Sequence, residues 1–316
     1  MKMPSDTLKI RDSIVFNKKV KRDFKLVCIG DIHLSSLVGK KDIYNISDAL
    51  YREDPDYICI VGDIVDSPKE LLKENKVKKL ETLIKNSASI APTSVILGSH
   101  DFVIEEKEEI KDVFDESEIW RSFDKYNNVS ILNDDTYEDD KIFIGGYRQK
   151  KEVYYNLMDQ GIEDSKAYYE DLSNQLKLIK NLPNDKPTIF LTHSPEPIQD
   201  KDNQELLKKY DMILTGHYHN SCVPSFLDNV WIPKNGGLIT PRKKIFPKEA
   251  RGIVQLETGS YLVYNGGWVK IQECAPKILQ PLDKICNRQM DAITFTSDSE
   301  SNSEIKISSR KKKLKI

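Results

Sequence analysis

The chain contains five histidines, and each one follows a short apolar run of the kind that forms a buried strand: His33, His100, His193, His217 and His219. Two aspartates, Asp31 in "GDIHLS" and Asp63 in "GDIVD", also follow such runs. Imidazole and carboxylate groups together suit Zn, Fe, Mn or Ni better than Ca. These residue types therefore predict a metal site, provided that the fold brings the strand ends together.

The spacing inside the short motifs is consistent with metal binding. In "DIH" and "HYH" two candidate ligands are separated by one residue, and alternate residues of an extended segment point to the same side. Glycines stand beside the ligands at positions 30, 62, 98 and 216, where we expect sharp backbone turns. Any one aspartate has a simpler explanation as a helix cap, but five strand ends with the same character favour a functional site.

The elements that must position these residues alternate between strand and helix. Strand-like runs occur at 24–30, 57–61, 94–97, 141–145, 187–192 and 211–215, and helical spacing occurs at 68–87 and 165–181. This alternation predicts a layered α/β fold, in which the carboxyl ends of the strands share one crevice. Residues 251–272 predict a tight hairpin, and the N-terminal "TLKIRDSIVFN" followed by "DFKLVCI" predicts a second hairpin-like pair.

Chain length and composition indicate a single domain with an extension. The chain has 316 residues, and residues 1–272 account for the α/β body and its added strands. Residues 273–316 form a C-terminal extension, in which we expect weak or no structure from about residue 290. The reason is that the serine-rich acidic "TSDSESNSE" precedes the basic "SSRKKKLKI". We favour a solvated terminus over a basic contact with nucleic acid or an anionic membrane.

Several classes of protein do not match this composition. The longest apolar runs are far shorter than the ~20 residues of a membrane helix. The N-terminal segment lacks the apolar stretch of a secretory signal, which predicts a cytoplasmic protein. Five cysteines without a CxxC pair argue against a disulfide framework and against zinc bound through cysteine. A net charge of -2 and no basic, aromatic groove pattern weaken the case for a nuclease.

Five motifs occur in a fixed order: "GDIHLS", "GDIVD", "GSHD", "LTHSP" and "TGHYHN". In this order they resemble the motifs of the calcineurin-like metallophosphoesterase superfamily. The resemblance implies a layered β-sandwich flanked by helices (α-β-β-α), with the active site at the carboxyl ends of the strands. Residues 236–267 are also similar to a bacterial subgroup whose members act on lipid-linked nucleotides, which implies a phosphate-ester substrate that contains a nucleotide.

The same resemblance implies two divalent metal ions, drawn from Mn, Fe, Zn and Ni. The first ion would have three ligands: Asp31, His33 and His219. The second would have two histidine ligands, His193 and His217, and Asp63 would bridge the two ions. His100 would stand outside the coordination sphere and donate a proton to the leaving group. Asp101 would orient the His100 imidazole, as carboxylates commonly do for histidine, whereas Asp66 has the character of a structural residue.

Ser99 is where this chain departs from the family pattern. The family has Asn at this position, and that Asn normally binds the second metal. Serine offers a neutral oxygen on a shorter arm, so we expect Ser99 to hold the second ion weakly or through water.

The predicted function is hydrolysis of a phosphate mono- or diester by a hydroxide that bridges two metal ions. One alternative is a binding scaffold of the same fold with weakened catalysis, which Ser99 supports and the other motifs oppose. The other alternative is a nuclease of the same superfamily.

Overall fold

The computed structural model describes residues 7–35, 38–106, 109–112, 118–150, 172–173, 182–199, 201–227, 235–240, 245–269, 280–298 and 305–314. The strands in these ranges are β1 Thr7–Phe16, β2 Phe24–Ile29, β3 Tyr57–Val61, β4 Thr93–Ile96, β5 Val103–Glu106, β6 Glu109–Asp112, β7 Val129–Ile131, β8 Asp135–Glu138, β9 Phe143–Tyr147, β10 Thr188–Thr192, β11 Met212–Thr215, β12 Gly252–Gln255, β13 Tyr261–Tyr264, β14 Arg288–Thr296 and β15 Ile305–Lys313. The α-helices are α1 Lys40–Glu53, α2 Glu74–Ile90, α3 Ser99–Phe102, α4 Glu118–Arg121 and α5 Lys201–Leu207.

Two large sheets contain most of these strands. The first has the order β15-β1-β14-β2-β3-β4-β7, and the second has the order β12-β13-β11-β10-β9-β8. Strands β2, β3, β4 and β7 are parallel neighbours in the first sheet, and β9, β10, β11 and β13 are parallel neighbours in the second. Their carboxyl ends therefore lie at a common edge within each sheet.

The two sheets pack face to face through an apolar core. Leu26, Cys28 and Val61 of the first sheet share one buried cluster with Leu191 and Leu214 of the second. The intervening residues of β2 point to the opposite face of the first sheet, because successive side chains of a strand face opposite sides of the sheet. Both faces of the central strands are consequently buried, as the continuous apolar sequence of β3, "YICIV", requires.

Helices cover the outer faces of both sheets. The buried faces of α1 and α2 pack on the first sheet, where Ile46 and Leu83 join Ile60 in one cluster. On the second sheet, Leu207 of α5 packs with Phe190 and Ile213. The layered α/β sandwich flanked by helices, predicted from the sequence, is confirmed.

Two predicted helices differ in detail from the structure. The segment 68–87 contains a 3-10 turn at Pro68–Leu72, and α2 begins only at Glu74 after an extended Lys73. The segment 165–181 lies outside the described residues except for 172–173. The predicted hairpin of β12 and β13 is confirmed, with Gly252 opposite Tyr264 and Gln255 opposite Tyr261.

The predicted N-terminal hairpin is wrong. β14 lies between β1 and β2, running parallel to β1 and antiparallel to β2. The sequence "MDAITF" within β14 is buried apart from Thr294. This burial is what a strand in the interior of the sheet, between β1 and β2, requires. Proximity in sequence suggested the hairpin, but burial of this distant apolar strand determines the pairing.

The prediction of weak structure from about residue 290 is also wrong for both C-terminal strands. β14 is central in the first sheet, and β15 forms its edge next to β1. Charge pairs hold the basic β15 in place, because Arg310 and Lys312 both contact the buried carboxylate of Glu53. Composition alone was misleading here, since basic residues on an edge strand also discourage pairing with other chains. The boundary between the predicted domain, 1–272, and its extension stays a prediction.

No helix in the described part of the chain is long and apolar enough to cross a membrane.

Candidate metal centre

The candidate ligands follow the carboxyl ends of strands from both sheets. Asp31 comes after β2, Asp63 after β3, His193 after β10, and His217 and His219 after β11. Backbone hydrogen bonds continue past the strands, with the Asp31 N–H donating to Gly62 and the His33 N–H donating to Asp63. These bonds hold the first two ligand segments side by side.

The structure brings these residues into two groups that share one member. Ligand atoms of Asp31, His33, Asp63 and His219 lie within 4.8 Å of one another, and those of Asp63, His193 and His217 do the same. All of these side chains are buried or nearly so. The shared residue, Asp63, is the one that the sequence analysis assigned to both ions.

Asp63 stands between histidines of the two groups. Its Oδ2 is 3.0 Å from His193 Nε2 and 3.8 Å from His33 Nε2. Its Oδ1 accepts the backbone N–H of His100 at 2.9 Å. One carboxylate oxygen is thereby held in place while the other faces imidazoles from both sheets.

Hydrogen bonds at Nδ1 orient the rings of two of the histidines. His193 Nδ1 is 2.6 Å from the carbonyl oxygen of Val61, and His219 Nδ1 is 2.7 Å from that of Val269. A ring nitrogen that donates to a carbonyl carries the hydrogen, so Nε2 then presents its lone pair. In both residues Nε2 faces a carboxylate, since His193 Nε2 is 3.0 Å from Asp63 Oδ2 and His219 Nε2 is 3.3 Å from Asp31 Oδ1. The residues present therefore fit a pair of divalent ions.

Burial sets the direction of the pKa shift at Asp31, which is raised, and at His33, which is lowered, whereas charge interactions outweigh burial at Asp63 and His193. Burial alone would raise the pKa of Asp63, but the nearby His193 and His100 outweigh it and hold this pKa well below its usual value. Burial would likewise lower the pKa of His193, yet the Asp63 carboxylate raises it to about 9. A bound cation would take the place of the proton that this histidine holds.

Several candidate ligands have a strained backbone. Five of them have φ in the left-handed region, between 48° and 69°: Asp31, His33, Asp63, His217 and His219. The assumption of extended "DIH" and "HYH" segments was therefore incorrect. Asp31 and His33 still lie in one ligand group, whereas His217 and His219 lie in different groups. Left-handed conformations cost energy in residues with a Cβ and typically persist at functional sites.

Two glycines make room for this arrangement. Gly62 has φ +83°, a conformation that favours glycine, and it directly precedes Asp63. A Cβ on Gly98 would lie 2.2 Å from Asp63 Oδ1, which is a severe overlap. The backbone after β4 can approach Asp63 only because position 98 has no side chain.

The sequence profile of calcineurin-like phosphoesterases matches residues 24–221, more than half of the chain and the whole of this ligand set. The chain belongs to the calcineurin-like phosphoesterase family. The α/β sandwich described above is therefore the fold of a member of this family.

Several relatives of this chain are described as metallophosphoesterases. An uncharacterised metallophosphoesterase from Helicobacter pylori is 24% identical over 67% of this chain and 48% of its own length. Its Campylobacter jejuni counterpart is 27% identical over 66% of this chain and 47% of its own length. The chain thus spans about half the length of these two relatives. One from Aquifex aeolicus is 22% identical over 78% of this chain and 77% of its own length.

Among solved structures, a dimetal phosphatase from Danio rerio matches 78% of this chain and 88% of its own. It has 12% sequence identity and a TM-score of 0.46.

His100 lies beside the two ligand groups and is more exposed than the ligands. Its ring contacts the ring of His33 edge-on, with centroids 4.8 Å apart. Its Nδ1 is 2.7 Å from the backbone oxygen of Asp66. Burial would lower the pKa of His100, but the Asp63 carboxylate and this backbone contact raise it.

Asp101 has a different role from the one predicted. Its Oδ1 accepts the backbone N–H groups of Ile64 and Val65, and its Oδ2 accepts that of Gly98. These bonds tie α3 to the segment after β3, so Asp101 fixes the backbone that carries His100 rather than the imidazole. Burial and the neighbouring Asp63 raise the pKa of Asp101 to about 7.

Asp66, which the sequence suggested was a structural residue, lies beside two candidate site residues. Its Oδ1 is 3.4 Å from His33 Nδ1, while its backbone oxygen contacts His100. It therefore touches a candidate ligand with its side chain and the candidate acid with its main chain. The available signal was its place as the second aspartate of "GDIVD", three residues after Asp63.

Ser99 is the first residue of α3 and is buried between Gly98 and His100. Ser99 lies in the segment that follows β4. The next residue, His100, donates its backbone N–H to the Asp63 carboxylate. The part of Ser99 in metal binding stays a prediction, as do the metal identities and the roles of the other ligands.

Proposed function

We propose that this chain is a dinuclear metal-dependent phosphoesterase that hydrolyses a phosphate mono- or diester. The observation that carries the proposal is the sharing of Asp63 by two groups of buried ligands. A structural aspartate needs one partner, whereas this carboxylate faces imidazoles from two sheets. Two cations whose ligand groups share one carboxylate are typical of enzymes that act on phosphate esters.

The ligand assignment follows the two groups. Asp31, His33 and His219 would hold one ion, His193 and His217 would hold the other, and Asp63 would contact both. Nitrogen ligands in the majority favour Mn, Fe, Zn or Ni over Ca. When bound, such ions polarise phosphoryl oxygens and lower the pKa of a coordinated water.

The protein residues have two tasks in the reaction. The ligand set places only two carboxylates among four imidazoles, so the loaded pocket keeps net positive charge and attracts a phosphate group. His100 is held at Nδ1 by the Asp66 backbone oxygen, which leaves its Nε2 to donate a proton to the departing alkoxide. A His100 that donates in this way makes hydrolysis of poor leaving groups feasible near neutral pH.

Restoring metal to stripped protein tests the proposal. We would remove metal with a chelator, add back Mn, Fe, Ni or Zn, and compare a nitrophenyl phosphomonoester with the matching diester. Turnover is expected to fall to background on chelation and to return with at least one of the metals. The better ester then defines the substrate class. Full turnover in chelated protein, or binding of no more than one ion with no turnover, would contradict the proposal and favour the scaffold.

The Ser99→Asn variant is expected to bind the second ion more tightly than wild type. Asparagine carries a carbonyl oxygen on a longer arm, so it reaches further from the backbone than serine. Metal titration followed by elemental analysis should show two ions retained by the variant under dialysis that removes one ion from wild type. Equal retention would overturn the idea that serine weakens this site. Ser89→Asn, at an exposed helical serine, serves as the matched control.

A further inference from the structure

We propose that a second pocket, separate from the metal centre, binds the phosphate group of a small phosphorylated molecule. This pocket has a volume of about 250 Å³ and lies where β1, β14 and β15 of the first sheet face the start of β12 in the second. Its polar lining includes Lys9, Arg11, Asn220, Arg251, Gln289 and Ser309. None of the candidate metal ligands lines it.

Three basic side chains line the pocket. Lys9, Arg11 and Arg251 all contribute to the lining, and none of the described lining residues is acidic. In addition, Lys9 stands directly opposite Lys311 in the pairing of β1 with β15. Like charges in opposite positions on neighbouring strands destabilise a sheet. A bound oxyanion would offset this repulsion.

Both arginines are buried and held in fixed positions. The Arg11 side chain forms an ion pair from Nε to Asp291 at 2.6 Å and donates from Nη2 to the Tyr264 carbonyl at 2.9 Å. These contacts use two of its nitrogens, and Nη1 makes no ion pair or hydrogen bond with any residue that the structure describes. Arg251 Nε donates to the carbonyl of Gly236 at 2.7 Å. Guanidinium groups held in this way are suited to phosphate oxygens.

A further polar atom in the pocket has no partner. The Oδ1 atom of Asn235 is buried and accepts no hydrogen bond within the described ranges. Its amide lies 2.7 Å from where a Cβ would stand on Gly252, another lining residue. A buried amide atom of this kind usually finds a partner, and a hydroxyl group of a ligand would supply one.

The pocket lies on the metal-centre side of the sandwich. Asn220 directly follows the candidate ligand His219. Gln289 packs against Gly266, and the next residue, Gly267, packs against Asp31. The volume equals that of roughly eight liquid water molecules at ~30 Å³ each, which suits a phosphate group with a small organic part.

Titration of the metal-loaded full chain with inorganic phosphate tests this site. Calorimetry is expected to show one equivalent of phosphate bound by wild type that Lys9→Gln and Arg251→Gln do not bind. If the variants do bind this equivalent, their affinity for it should be at least about tenfold lower than that of wild type. Lys306→Gln is the matched control, because Lys306 is exposed on β15, lies opposite Ile14 and does not line the pocket. Phosphate binding that is equal in wild type and both pocket variants would overturn the proposal.

Two further arms refine the test. Circular dichroism checks the fold of each variant, and Lys9→Gln alone decides the outcome if Arg251→Gln unfolds, since Lys9 is only half-buried. Ribose 5-phosphate distinguishes an organic phosphate from the free anion. Binding at least as tight as that of inorganic phosphate supports the proposal. Exclusion of the sugar phosphate would overturn the organic part and make free phosphate the occupant. Because the variants leave every candidate metal ligand in place, their result does not depend on the proposed hydrolysis.

Discussion

Asp63→Asn is expected to remove both metal ions and to reduce ester hydrolysis to background. The Asp63 carboxylate faces His193 Nε2 at 3.0 Å and His33 Nε2 at 3.8 Å, so it is the one side chain common to both ligand groups. An amide keeps the shape but removes the negative charge that two buried cations require. The loss of metal affinity should exceed the about 10–100-fold that loss of an outer-shell partner costs. Elemental analysis and the nitrophenyl ester assay measure the two effects.

Asp48→Asn provides the matched control for this substitution. Asp48 lies on α1 in an ion pair with Arg52, so the variant removes the same charge away from the centre. It should retain two ions and full turnover. An Asp63→Asn protein that remains folded and still binds two ions would refute the shared-carboxylate interpretation, whatever its activity.

His100→Ala is expected to lower turnover by about 10²–10⁴-fold while two metal ions stay bound. His100 is placed by its backbone N–H on Asp63 and by its Nδ1 on the Asp66 backbone oxygen. The loss should be larger for an alkyl phosphate than for a nitrophenyl phosphate, because the better leaving group needs less help from an acid. Steady-state kinetics on a series of esters, with metal content measured in parallel, would show this difference.

A structural role for His100 would give a different result. If the variant lost metal, or if its turnover fell equally for every leaving group, the imidazole would support the ligand segment and donate no proton. His219→Ala is the useful comparison, because its Nε2 faces Asp31 at 3.3 Å. The His219→Ala variant should lose bound metal, and its loss of activity should follow from that loss of metal.

The sequence identified the candidate site because its signals are local. Each ligand segment is an apolar run followed by polar residues, and all except "LTHSP" also contain a glycine. The parallel strands then bring those ends to one edge of each sheet. The roles of individual residues within the site were harder to predict from the sequence. Asp101 and Asp66 are equally acidic in sequence, and only the backbone geometry determines which of them contacts His100.

Strand order in the first sheet was beyond the reach of local signals. Nothing in β1 or β2 specifies that β14, more than 250 residues further along the chain, will separate them. The partners of the basic β15 likewise depend on Glu53, whose burial is a property of the folded protein. The charged composition of β15 indicates that it is polar, but it does not indicate which strand β15 pairs with.

The position of β14 and β15 has a consequence for how the protein is made. Arg310 and Asp12 form an ion pair across 298 residues of sequence. At about 5–20 residues per second, a ribosome needs about 15–60 s to synthesise that interval. During this time β1 has neither of its neighbours, and β2 lacks one. The sheet that supports Asp31 can therefore close only after β14 and β15 have been synthesised, and the emerging chain must keep two apolar strands from pairing elsewhere until then.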